Sequence, residues 1–381
     1  MLKQARVYFK ILVNRVAHGR NRYINDKKFL ILIALFVGLF SGLAAVFLKN
    51  SVHLLQSFLE GGFNVRYENY LYLVYPLIGI LLSVLYVRLF HKGKEFDKGL
   101  SSVIYSISRK GSAIPGLHVF SQIITSVFTV GFGGSVGLEA PIAVTGSAIG
   151  SNTAKDLLMN RQQKTLLLAC GAASGISAIF NSPIAGVVFA FEVLLSEVSV
   201  PAFIPLLMSS ATGAVVSRLF QSHQVFFLTT NSWSMRALPY YVLLGAFCGL
   251  TSVYMIRNSL ATEHFFNNRK NPWLKALAGG LLIGALLFLF PPLYGEGYNS
   301  ISMLMSGDYH SLPDKSLFYR YHENEWFVLL FIGVIILLKV FASSITIGSG
   351  EMEGFLPLRF SQDLFADYSL PESFTCFTYQ I

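Results

Sequence analysis

"GFGGSVGLEAPIAVTGSAIG", Gly131–Gly150, sets a single carboxylate, Glu139, in the middle of an apolar, glycine-dense run, with a proline two residues later. A carboxylate is costly to hold among hydrocarbon, so an acid in such a run needs a partner or a task. "APIAVTGSAIG" reads as a helix with Pro141 in its first turn, where the missing N–H would be unpaired in any case. Gly133, Gly134, Ser135 and Gly137 lead into it. The backbone N–H groups around Leu138–Ile142 are then candidate free donors at a helix N-terminus, an arrangement that binds anions. Gly137, Leu138, Glu139 and Ala140 are the candidate anion-binding backbone. Glu139 is itself a tethered anion at that place, able to occupy the site when ionised and to leave it when protonated. It is the candidate gate, proton carrier, or both. The plainer alternative is a helix-start carboxylate satisfied by its own amides.

The rest of the chain places this segment in a membrane. Of 381 residues, 53% are hydrophobic and 13% charged, about half the charged fraction of a water-soluble domain. Phe29–Leu48 carries no charge over the length a bilayer-spanning helix needs. Tyr70–Phe90, Tyr240–Ile256, Leu274–Leu293 and Trp326–Ala342 read the same way. Residues 1–28 are polar and basic, and apolar blocks recur to the end, which does not fit a cleaved signal peptide. The net charge of +9 gathers in connections, with Lys3, Lys10, Arg15, Arg20, Arg22, Lys27 and Lys28 before the first span. By the positive-inside rule this puts the N-terminus in the cytoplasm. No basic stretch interleaves with aromatics as a nucleic-acid surface would. Cys170, Cys248 and Cys376 are scattered, without metal-ligand spacing or a disulfide framework, and are expected to be buried small hydrophobes. No cofactor or metal site is expected.

Between Ile114 and Phe220 the apolar runs are shorter and interrupted by Gly, Ser, Pro and Asn, and several look too broken to cross as single straight helices. Non-helical backbone is tolerated at membrane depth where it is buried or lines a cavity. Broken helices also aim their amide ends at bound anions. Close small-xxx-small packing, such as Gly146–Gly150, is the other reading of the same residues. The expected architecture is an all-α polytopic bundle. A basic segment at 1–28 precedes one membrane domain at 29–350, and a tail occupies 351–381.

The motifs resemble one family. "GGSVGLEAP" (Gly133–Pro141) resembles the G-K/R-E-G-P signature of CLC chloride channels and chloride/proton exchangers, with Glu139 in the place of the gating glutamate. "LLLACGAASGISAIFNSPIAGVVFAFE" (Leu166–Glu192) resembles the next helix pair and its N-A-P-L-A-G-x-x-F-x-x-E run. "YGEGYNSI" (Tyr294–Ile301) and "SSITIGSG" (Ser343–Gly350) resemble a family loop and the approach to its G-x-F-x-P anion segment. The order is right from about Lys28 to Gly350. The resemblance implies a bundle of tilted, broken helices. It also implies a homodimer in a bacterial cytoplasmic membrane, with chloride or a related anion as cargo and protons as possible partners.

The departures bear on mechanism. Ala140 replaces the second glycine of the gate motif and Leu138 its basic residue. Where the family carries a serine-bearing G-S-G-I-P segment, this chain has "DKGLS" (Asp97–Ser101), with Lys98 in the serine's place; Gly99 still suits a tight backbone. Exchangers carry an internal glutamate where this chain has Val193, which cannot relay a proton. Glu192 matches the first acid of that pair, in what can be a structural role. Channel-like conduction or a rerouted proton path is the expectation. After Gly350 the chain reads "EMEGFLPLRFSQDLFADYSLPESFTCFTYQI" and loses its membrane character. With permitted codons, restoring one base after Gly350 gives G-G-N-G-G-I-F-A-P-S-L, the family's G-x-F-x-P segment. On that reading Glu351–Ile381 is the out-of-frame product of a one-base deletion, and the chain is what remains of a transporter; a variable cytoplasmic tail is the alternative.

Two other classes fit the residues less well. In a cation- or proton-driven secondary transporter, Glu139 would bind the coupling cation, but that class leaves "NSPIAG" without an account. An intramembrane enzyme would have His118 and Glu139 as its only tempting polar pair, and no catalytic constellation accompanies them. The chain is not expected to be an enzyme.

Overall fold

A computed structural model describes residues 26–61, 68–91, 99–195, 200–220, 235–267, 271–313, 316–321 and 324–349. Lys98 and the 351–381 tail lie outside the described residues. The described chain is all helix and connection: α1 Asp26–Gly61, α2 Glu68–His91, α3 Gly99–Arg109, α4 His118–Gly131, α5 Glu139–Asp156, α6 Arg161–Phe180 and α7 Pro183–Phe189. A π-helical turn, Ala190–Leu194, ends α7; beyond it come α8 Val200–Phe220, α9 Leu238–Asn267, α10 Pro272–Leu289, α11 Tyr298–Ser306 and α12 Glu325–Ser349. Seven of these helices are long and apolar enough to cross a membrane.

The described residues cluster into two compact units that interleave along the sequence: 26–61, 85–91, 99–132, 137–195 and 200–220 in the first, 68–84, 133–136, 235–267, 271–313, 316–321 and 324–349 in the second. In the first, α6 is central and packs on α1, α5, α7 and α8. Its start is fixed by a reciprocal cap in which the Asn160 side chain accepts from Gln163 N–H, while Gln163 Oε1 accepts from Asn160 N–H. At its end Asn181 takes the left-handed conformation (φ 53°) and Ser182 caps α7, with Pro183 at the first helical position. "NSP" is therefore stop, cap and restart within three residues.

Packing within this unit uses small residues, as helices in lipid require. A Cβ at Gly146 would overlap the Gly171 carbonyl, and one at Gly150 the Leu167 carbonyl, so α5 and α6 cross nearly backbone to backbone. Serine hydroxyls stitch neighbours together: Ser174 to Gly38 O (2.7 Å), Ser177 to Ser210 O (2.7 Å), Ser209 to Cys170 O (2.9 Å) and Ser217 to Ala178 O (2.6 Å). The small residues of the middle chain thus serve close packing more than breakage. Of the runs expected to be broken, 165–195 is broken at Asn181 into α6, α7 and the π-turn, whereas Val200–Phe220 is one continuous helix of 21 residues with Pro205 inside it. Pro205 falls near the start of α8, where it forfeits only one early backbone bond. Within 114–220 the short helices are α4 (14 residues) and α7 (7 residues).

In the second unit α12 packs against α9 and α10, and Gly280 and Gly284 bring α10 onto Leu77 and Leu73 of α2. The outward surface of α9 is apolar, with Val242, Leu243, Leu244, Phe247 and Leu250 all exposed. Such a surface is stable against lipid and not against water. Cys248 lies on it, exposed, contrary to the expectation of burial, whereas Cys170 is buried as expected. An apolar position in a span has two insides, the protein and the bilayer, and sequence does not separate them.

Candidate anion gate at the start of α5

The helix expected at "APIAVTGSAIG" begins one residue earlier, at Glu139, with Ile142 N–H bonding Leu138 O (3.1 Å) as its first full turn. Pro141 sits in that turn, and Leu138, at the N-cap position, makes no side-chain cap bond. The amides of residues 138–140 have no intrahelical acceptor, and with the axial dipole they make the start of α5 a place suited to negative charge. Leu138 is buried, whereas Gly137, Glu139 and Ala140 are half-buried.

Glu139 folds back over the residue two before it. A Cβ at Gly137 would overlap Glu139 Oε2 and lie 2.8 Å from its carboxyl carbon. The carboxylate therefore lies over the helix start instead of reaching outward along α5. Gly137 is required by that approach, a signal the sequence carried only as one more glycine before an acid.

Several expected segments come together in the first unit. Gly99 opens α3 with φ +60°, buried, so the tight backbone expected there is present. Ser102 Oγ donates to Gly99 O at 2.8 Å. The helix that Gly99 opens packs against α5 and also against the π-helical turn holding Glu192 and Val193. Glu192 is exposed and Val193 half-buried; π-turns of this kind are frequent at functional positions. His118 begins α4, buried at its first turn, and Gly131 is at the other end of that 14-residue helix, roughly 20 Å away along its axis. His118 and the glycine-rich approach to Glu139 therefore lie at opposite ends of one helix. Among the described residues no three His, Cys, Asp or Glu side chains gather to hold a metal ion.

A cluster in the second unit was not anticipated. Lys339, inside the membrane-length helix α12, donates to Ser135 Oγ (2.8 Å) and to the carbonyls of Gly295 (2.7 Å) and Leu293 (3.4 Å). Ser343 Oγ donates to Ser135 O (2.7 Å), and Ser135 N–H donates to Thr346 Oγ1 (3.2 Å). Ser135 Oγ donates in turn to Leu293 O at 2.6 Å. Gly133, at φ +99°, has the Tyr294 ring where its Cβ would be. The available signal was a single lysine in "GVIILLKVFA", since charges inside spans are functional by default.

A multi-span membrane protein with a carboxylate folded over the start of one of its helices is the class that fold and site define. Residues 78–357 match the family model described as voltage gated chloride channel, and the chain belongs to that family, the CLC family. It is an integral membrane protein. It is 29% identical over 302 residues to the chloride channel protein CLC-e of Arabidopsis thaliana, covering 71% of this chain and 41% of that protein. It is 27% identical over 243 residues to the voltage-gated ClC-type chloride channel ClcB of Escherichia coli (strain SMS-3-5 / SECEC), covering 62% of this chain and 53% of that one. The chain spans about half the length of these curated relatives. In fold it is similar to a CLC-type fluoride/proton antiporter (TM-score 0.68, 22% identity, 86% of this chain and 77% of that chain). It is likewise similar to a slow cyanobacterial Cl−/H+ antiporter (TM-score 0.66, 18% identity, 90% and 82%).

Proposed function

We propose that the chain moves chloride or a related small anion across a membrane, with Glu139 as the gate. The observation that carries the reading is the carboxylate folded over Gly137 at the start of α5. Ionised, Glu139 occupies with its own charge the place an anion would take; protonated, it gives that place up. The amides of residues 137–140 then replace part of the anion's hydration shell. Flux is expected to rise as pH falls, because acid removes the tethered competitor. Val193 offers no proton carrier at the π-turn, which favours proton-gated conduction over tightly coupled exchange. We further infer a homodimer, on family membership and on the exposed apolar residues Ile184, Val188, Phe203 and Ile204 of α7 and α8. An inner-membrane location with a cytoplasmic N-terminus is inferred from the basic 1–28 segment.

The test is anion efflux from liposomes holding the purified chain, with chloride, fluoride and nitrate compared at several pH values and proton movement recorded alongside. Glu139→Gln and Glu139→Ala are expected to keep efflux and lose its pH dependence. Efflux that stays pH-dependent after Glu139→Ala removes Glu139 from the role. Substrate uptake that needs a cation, with no anion current, would favour a cation-driven transporter instead.

A further inference from the structure

We propose that Lys339 is a positioning residue for the gate segment, acting through Ser135 as the head of a polar stripe on α12; the inference rests on the gate reading of Glu139. Lys339, Ser343 and Thr346 stand at i, i+4 and i+7, on one face of the helix. All three turn to the same residue. Lys339 Nζ reaches Ser135 Oγ, Ser343 Oγ reaches Ser135 O, and Thr346 Oγ1 accepts from Ser135 N–H. Every polar atom of Ser135 is engaged, and the residue is fully buried.

The same ammonium ties Ser135 to a second loop. Lys339 donates to Gly295 O and Leu293 O, and Leu293 O also accepts from Ser135 Oγ. Gly295 and Gly297 are both left-handed, at φ +62° and +93°, which turns this loop tightly around the Lys339 head group; a Cβ at Gly297 would lie 3.5 Å from Nζ. The aromatic side of the loop closes on the gate segment too, with Tyr294 against Gly133 and edge-on to Tyr72 at 5.4 Å between centroids. An ammonium at membrane depth is costly unless carbonyls or charges satisfy it. Hydroxyls alone could have held Ser135. A lysine placed here joins two carbonyls and a hydroxyl at one point, so the segment entering α5 has one position relative to α12 within this unit.

Ser135 precedes Glu139 by four residues with three glycines in the intervening and flanking chain (Gly133, Gly134, Gly137). Glycine-rich backbone holds no conformation of its own. Without an anchor at Ser135 the carboxylate has a range of positions, and with it the range narrows.

The experiment is a mutant cycle on the purified full chain in liposomes, reading chloride efflux, with thermal unfolding in detergent as the second readout. The regulated component is the difference in efflux between a variant and the same variant carrying Glu139→Ala. Lys339→Met is expected to shrink that difference about fivefold or more, the scale on which contacting residues couple, and Lys339→Arg to restore most of it. Ser135→Ala should give the same phenotype, and the double variant should be no worse than either single. Should Lys339→Met not fold, Ser343→Ala, which removes one bond to the Ser135 carbonyl, gives a milder form of the same loss. Independent effects of Lys339→Met and Ser135→Ala, or full regulation in Lys339→Met, would overturn the proposal. If efflux stays pH-dependent after Glu139→Ala, the gate reading has failed, and coupling of Lys339 and Ser135 in thermal unfolding then decides the clamp separately.

Discussion

Replacing Gly137 by alanine puts a methyl group where Glu139 Oε2 lies. Gly137 is not in the left-handed region, so alanine is compatible with its backbone. The atom that must move is the far end of a flexible side chain. The expected outcome is a separation of function from stability: unfolding in detergent shifts by no more than about 0.5–1 kcal/mol, in either direction. The carboxylate is meanwhile displaced from the start of α5, and the pH dependence of efflux is largely lost. A large drop in stability with regulation intact would mean that the glycine serves the fold and not the gate. The place of Glu139 at the start of α5 was legible from the sequence, because glycines followed by an acid and a proline read as a helix start. Gly137's part was not, since a sequence shows which residues are small and not what fills the space they leave.

At the scale of elements, the α5–α6 crossing yields a contrast between glycines. A side chain at Gly146 meets the Gly171 carbonyl, which is backbone and cannot swing aside. Gly146→Ala is expected to destabilise by about 1–3 kcal/mol and Gly146→Leu to prevent folding. On α9, Gly245 and Gly249 face open space, with no atom within 4 Å of where a Cβ would lie. Alanine there should be neutral or stabilising by up to about 1 kcal/mol. Thermal unfolding of the three alanine variants in one detergent checks both halves, and equal effects at 146 and 245 would refute the crossing. The helices themselves were readable where apolar length met a clear stop, as at "NSP" after Phe180. Pro205 misled because a proline marks a break only where its position in the helix makes one. Lys339 was missed for a different reason. Its partners, Ser135 and Gly295, are 204 and 44 residues away in the chain, and nothing in "IILLKVF" names them.

For the whole molecule, the gate proposed at Glu139 has to be tested together with the sequence that follows α12. The family match runs past Gly350 to Pro357 and so takes in "GFLP", Gly354–Pro357. That is compatible with a short in-frame motif. It is equally compatible with an out-of-frame tail, which we propose, because the restored frame sets G-G-N-G-G-I-F-A-P-S-L directly after α12, whose polar stripe already clamps the approach to Glu139. An anion path built from helix starts needs coordinating groups on more than one side. Losing even one worth about 1.4 kcal/mol costs tenfold in occupancy. Resequencing the gene across the Gly350 codon tests the frame directly. The functional test compares this chain with a frame-restored version at equal amounts in liposomes. The restored chain is expected to pass chloride at least about tenfold faster, on the same arithmetic, with Glu139→Gln removing pH dependence in the restored chain. Equal efflux from both, above that of protein-free liposomes, would overturn the out-of-frame reading of the tail.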